Sequence, residues 1–243
     1  MSWKSTLAFW LRRYGYEIRS VVRPPADFDA AALPIIEKSR PFTMTRLESI
    51  YSIVQSVRYL EQARIPGAIV ECGVYMGGCT LAATLTLESL QSFDRDVYLY
   101  DTYEGMTPPT AEDGPIANQL YLMDGTPASI ACRSPLEQVQ KTMAISRYPE
   151  NKLHFVQGRV EDTLPGQAPE QIALLRLDTD WYQSTKHELV HLFPRLAPGG
   201  VLIIDDYGHW EGSRRACDEY FAENHIPILL QRIDPGVRCA IKG

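Results

Sequence analysis

Cysteine is sparse in this chain. Cys72, Cys79, Cys132, Cys217 and Cys239 are five in 243 residues, and no two form a C-x-x-C pair. That argues against a disulfide scaffold and against thiolate zinc, and it fits a reduced, cytoplasmic compartment. No uninterrupted apolar run is long enough for a membrane span or a signal peptide. No basic stripe stands out and the formal net charge is −6, so nucleic acid is a poor partner. No G-x-G-x-x-G and no P-loop occurs, which disfavours dinucleotides and nucleoside triphosphates. Internal repeats and low-complexity tracts are absent as well.

What remains is an alternation of strands and helices after a leader. Residues 1–40 form that leader. In it Trp3, Leu7, Trp10, Leu11, Tyr14 and Ile18 fall at helical spacing between basic residues. This reads as an amphipathic helix packed on the domain or on a second copy of the chain, giving a homodimer. Thr45 to Ala63 carries a helical apolar stripe, with Thr45 and Glu48 as a capping box. Apolar strands then alternate with helices: AIVECG, DVYLYDT, LHFVQG, IALLRLDTD and VLIIDDY are the strands. The pair PILLQRI and RCAIK, joined by Asp234-Pro235-Gly236, reads as an antiparallel hairpin. The expected fold is α/β, a Rossmann-like, mostly parallel sheet with an antiparallel C-terminal edge. The polar stretch around residues 103–135 reads as a lid or insertion in a domain spanning 41–243.

In such sheets ligands bind beyond the carboxyl ends of the strands, and the informative residues lie there. After the first strand come Glu71, Gly73, Val74, Tyr75, Gly77 and Cys79. The glycines permit a tight turn against a ligand, and the amides at the helix start suit a carboxylate. Glu71 would repel a pyrophosphate. It suits a ligand with an ammonium and a sulfonium, as in S-adenosylmethionine. Asp101, followed by Thr102, ends the second strand and can bind ribose hydroxyls. Val160 and Glu161 follow the third strand, where an adenine ring could lie.

The other tips carry Asp178 and Asp180 in RLDTDWY and Asp205 and Asp206 in LIIDDYG. No Lys or Arg is evident at the tips themselves. Side by side, Asp178, Asp205 and Asp206 would repel one another unless a divalent cation intervened. All-oxygen ligands favour Mg²⁺, Mn²⁺ or Ca²⁺. Asp178 would face the donor too, and Asp178 or Asp180 would take a proton in catalysis. His209 and Trp210 follow the pair and would shape an acceptor pocket.

The motifs VECGVYMGG, YDTYEGM, GRVEDTLP, LRLDTDWYQST, LAPGGVLIIDDYGHWEGSRRACDEYF and RIDPGVRCAIK occur in this order. Together they resemble the macrocin O-methyltransferase family, which includes mycinamicin and aminocoumarin sugar O-methyltransferases. The resemblance runs from about Pro41 to the C-terminus, and PFTMT resembles the family's cofactor-side motif. It implies a class I methyltransferase fold with seven strands, S-adenosyl-L-methionine and Mg²⁺. The acceptor it implies is a small molecule with a free hydroxyl, on a sugar of a natural product. It matches Asp178, Asp205 and Asp206 to metal ligands, Glu71, Gly73, Tyr75 and Gly77 to the cofactor loop, and Asp101 to ribose. Thr179 and Tyr75-Met76 depart from the family pattern, and Asp113 to Ala144 matches it poorly. A catechol-type acceptor and a non-catalytic cofactor-binding protein are the alternatives. A phosphoesterase is disfavoured because the tips lack a cation for phosphate.

Overall fold

A computed structural model describes residues 24–121 and 132–243. The leader positions Trp3 to Ile18, and part of the expected lid, lie outside the described residues. Seven strands form one sheet in the order β3-β2-β1-β4-β5-β7-β6. They are β1 (Ala68–Cys72), β2 (Val97–Asp101), β3 (Leu153–Gln157), β4 (Ile172–Leu177), β5 (Leu196–Ile204), β6 (Gln231–Arg232) and β7 (Arg238–Ile241). The first five are mutually parallel, and β7 runs antiparallel to both β5 and β6. The strand order reverses between β1 and β4, which opens a crevice at their carboxyl ends.

Every residue of β1 and β4 is buried, as expected of central parallel strands covered on both faces. Alternation divides their side chains between two cores. Ile69, Leu99, Leu174 and Ile203 pack on one face with α1 (Leu33–Ser39), α2 (Leu47–Gln62) and α3 (Gly78–Ser89). Val70, Leu175, Leu202 and Ile204 pack on the other with α7 (Tyr182–Leu192) and α8 (Glu211–Glu223). Each fully buried aliphatic side chain contributes roughly 1.5–3 kcal/mol before chain entropy is counted. Ala32, Ile35 and Ile36 belong to the first core, so the last part of the leader is built into the domain.

Three expectations need correction. The capping box at Thr45 and Glu48 does not form: α2 starts at Leu47 behind Arg46, with no side-chain cap. Thr45 turns its hydroxyl to the site instead, accepting from Arg176. The strand PILLQRI shrinks to Gln231–Arg232. Ile226, Ile228 and Leu230 still pack inward on alternate positions, but β7 is four residues long and pairs with only two residues of β6. Alternation was present there and a ladder partner was not. The third correction, at the strand tips, concerns the site.

The described part of the 103–135 stretch holds a short helix, α4 (Gly114–Tyr121). Buried Asp113 anchors it. Its carboxylate accepts from the amide of Tyr182 at 2.7 Å, at the start of α7, and from the amide of Thr110 at 2.7 Å. Trp181 donates its indole N–H to the carbonyl of Thr107 at 2.8 Å. Among the described residues no helix is long and apolar enough to cross a membrane.

Candidate active site

The hydrogen-bond ladder extends past the strand ends. The amide of Gly73 donates to the carbonyl of Tyr100, Asp178 to Cys72, and Asp205 to Leu177, all within 2.9 Å. Four strand tips are thereby aligned along one edge. Beyond them lies a cavity of about 440 Å³, within the range of small-molecule sites. Glu71, Gly73, Val74, Tyr75, Asp101 and Thr102 line it. Asp178, Asp180, Asp205 and Asp206 line it too, as do Val160 and Glu161.

The glycine turn is held from below by Asp101. Its Oδ2 accepts from the amides of Val74 at 2.7 Å and Tyr75 at 3.1 Å, and its Oδ1 from the amide of Tyr103 at 2.7 Å. Thr102 donates to the carbonyl of Gly105 at 2.9 Å. Glu161 accepts from Arg159 at 3.3 Å. Gly77 and Cys79 follow the glycine turn. Gly77 lies off the cavity, in left-handed conformation at the start of α3, facing Val139. Cys79 is buried but still on the cavity lining, its sulfur 3.4 Å from the hydroxyls of Thr43 and Thr45. Burial pushes its thiol up to about 12.

On the same lining, carboxylate oxygens of Asp178, Asp205 and Asp206 lie within 4.8 Å of one another. Asp180 has φ +68°. Its amide donates to Asp206 Oδ2 at 3.0 Å, and its Oδ1 accepts from the indole of Trp210 at 2.7 Å. Trp181 packs against Trp210 with ring centroids 5.1 Å apart. Burial raises Asp178 and Asp206 well above the usual carboxylate range, and neighbouring carboxylates add to it. Burial, then the charge of Asp178, pushes Asp180 up to about 8. His209 is on the wall, and its ring abuts Gly236 of the hairpin turn.

The tips do contain a cation, contrary to the sequence reading. Arg176 lies on β4 in register with Glu71 on β1. Its Nη1 donates to Glu71 Oε1 and to Asp178 Oδ2, each at 2.6 Å. Its Nη2 donates to Asp205 and, at 3.2 Å, to Thr45 Oγ1. Glu71 also accepts from Thr80. Burial raises the Glu71 carboxyl and Arg176 pulls it back. Burial opposes the guanidinium charge as well, and Asp178 and Asp205 outweigh it. The phosphoesterase alternative gains nothing from this cation, because carboxylates and Thr45 already occupy its terminal nitrogens. A signal for it was present: one Arg inside IALLRL, two residues before Asp178, must find a buried partner on that face.

The donor set fits a hard divalent cation. Asp178 and Asp205 each give one oxygen to Arg176 and retain the other, and Asp206 makes no contact with the guanidinium. Oxygen-only ligands at the mouth of a cavity suit Mg²⁺ or Mn²⁺.

The family model described as Macrocin-O-methyltransferase (TylF) matches residues 31–239. The chain belongs to this family. It is an S-adenosylmethionine-dependent O-methyltransferase of the type acting on natural-product sugars or other small molecules. The family match starts ten residues before Pro41, which agrees with the packing of α1. Mycinamicin III 3''-O-methyltransferase of Micromonospora griseorubida is 32% identical over 191 residues, covering 79% of this chain and 73% of the relative's length. The 8-demethyl-8-(2,3-dimethoxy-alpha-L-rhamnosyl)-tetracenomycin-C 4'-O-methyltransferase of Streptomyces olivaceus is 31% identical over 192 residues, covering 79% of this chain and 72% of that one. Among solved structures, the O-methyltransferase NovP superposes with a TM-score of 0.75 at 27% identity, covering 83% of this chain and 82% of that one.

Proposed function

We propose that this methyltransferase moves the methyl group of S-adenosylmethionine to a hydroxyl of a sugar or similar small acceptor, with Mg²⁺ held by Asp178, Asp205 and Asp206. One observation carries the reading. The three carboxylates converge within 4.8 Å on the wall of the same cavity that the glycine turn lines. The relatives' names favour a sugar hydroxyl over a catechol, since one acts on a rhamnosyl tetracenomycin.

On this reading the turn at Gly73, Val74 and Tyr75 receives the methionine end of the donor. Glu71 supplies negative charge behind it. Asp101 and Thr102 face the ribose, and Val160 and Glu161 the adenine. The divalent ion supplies Lewis acidity, which lowers the pKa of an acceptor hydroxyl. Asp180, or Asp178 beside it, accepts the hydroxyl proton. Trp210 holds Asp180 Oδ1 in place for that step. Trp181, Met106 and Thr107 close the wall against water, which favours transfer over solvation of the developing charge. The free cysteines fit a reducing cytoplasm.

The test separates donor from metal. Asp205→Asn lowers kcat/KM toward neutral deoxysugar glycosides by at least about 100-fold. Its affinity for S-adenosylhomocysteine in calorimetry stays within about threefold of wild type. Chelation of the wild type has the same effect as the substitution. Full turnover in excess chelator would remove the metal from the mechanism.

A further inference from the structure

Arg176 has no role toward donor or acceptor in the mechanism above, yet it is on the cavity lining and joins Glu71 to Asp178 and Asp205. Its side chain is 3% exposed. Four acceptors from four segments surround its two terminal nitrogens: Glu71, Asp178, Asp205 and Thr45. Among the described residues the Nε has no acceptor. A planar fork gripped in this way has a fixed position.

We propose that Arg176 is a built-in counter-ion of the divalent-cation site. It keeps Glu71, Asp178 and Asp205 folded side by side when no metal is bound, and it holds the metal affinity of the site down. The proposal rests on the metal reading and goes beyond it.

Two arguments lead here. Buried carboxylates that share a site repel, and an unpaired one is strongly destabilising. Glu71, Asp178 and Asp205 share one guanidinium, so the strand tips stay paired before any metal arrives. The second argument concerns the metal itself. Arg176 occupies one oxygen of Asp178 and one of Asp205, so neither can clamp a cation with both oxygens while the fork stays in place. Its positive charge also repels an incoming ion at short range, in a medium that screens poorly. A site built this way binds its cation weakly and survives its departure.

The experiment uses Mn²⁺ alone as the probe. Free Mn²⁺ is read by electron paramagnetic resonance during titration of wild type, Arg176→Met and Arg176→Lys. Thermal unfolding is followed in chelator and in saturating Mn²⁺. Arg176→Met, which removes the like charge, binds Mn²⁺ at least about tenfold tighter than wild type. Arg176→Lys keeps the charge but loses the fork, and its affinity falls between those of wild type and Arg176→Met. Wild type in chelator unfolds cooperatively, and Mn²⁺ raises its midpoint less than it raises that of Arg176→Met. An Arg176→Met protein that is unfolded in chelator and folds on adding Mn²⁺ is the same result in stronger form.

Equal or weaker Mn²⁺ binding by Arg176→Met overturns the proposal. So does unfolding of wild type by chelator alone, or an Arg176→Met protein that stays unfolded in Mn²⁺. If neither wild type nor Arg176→Met binds Mn²⁺, the metal reading falls with it. If wild type binds and the substitution leaves affinity unchanged, only the role of Arg176 falls.

Discussion

Gly73 shows how little space the strand tips leave. Its φ is +80°, and a Cβ there would lie 1.9 Å from the carbonyl oxygen of Asp178. Any side chain strains the backbone and pushes the glycine turn away from the Asp178 tip. Gly73→Ala is expected to cost at least about 2 kcal/mol in urea unfolding, given the usual price of a strained left-handed residue plus a backbone clash. It should also weaken S-adenosylhomocysteine binding in calorimetry. Unchanged stability and affinity would mean that the turn is not tied to Asp178. At this scale the acidic residues were readable, because each follows an apolar strand whose end faces the crevice. Arg176 was missed because the strand around it reads as uniformly apolar. Its meaning depends on a partner, Glu71, that lies 105 positions away in sequence.

Elements are joined by a few polar contacts that sequence does not announce. Asp29, in the turn before α1, accepts from Arg58 on α2 at 2.6 Å and 3.2 Å, and from Tyr51 at 3.2 Å. The Arg58 hydrogen bond lowers its carboxyl from 3.8 to about 2, against the opposing effect of burial. A depressed folded pKa means stability that is present above the unfolded value and lost as pH falls through the folded one. The carboxylate is 40% exposed, so the gain is that of a surface pair, about 0–1 kcal/mol. Wild type should therefore exceed Asp29→Asn in urea midpoint at pH 6. The gap should narrow from about pH 4 downward and close near pH 2. A gap that is constant across that range would assign the effect to packing instead. Helix and strand positions were legible from periodicity. Their joints were not: Asp113 under α4 and Asp234, which accepts from the amides of Gly236 and Val237 and from Ser49, act across the fold.

At the scale of the whole molecule, the strand order dictates where chemistry can occur. The reversal between β1 and β4 sets the glycine turn beside Asp178, and the parallel neighbour β5 brings Asp205 and Asp206 alongside. Alternating apolar strands and helices were enough to expect this sheet and its antiparallel edge, since only buried parallel strands tolerate unbroken apolar runs. The cavity wall around Asp180 was less legible, because it is built from Trp181, Trp210 and the stretch after Tyr103, whose contacts form only once the chain folds. A crystal of the protein soaked with S-adenosylhomocysteine and Mn²⁺, with anomalous diffraction collected for manganese, addresses the central claim most directly. The account predicts an anomalous peak bounded by Asp178, Asp205 and Asp206, and the homocysteine sulfur facing it from the glycine turn. Donor product bound there with no manganese among those three carboxylates would contradict it.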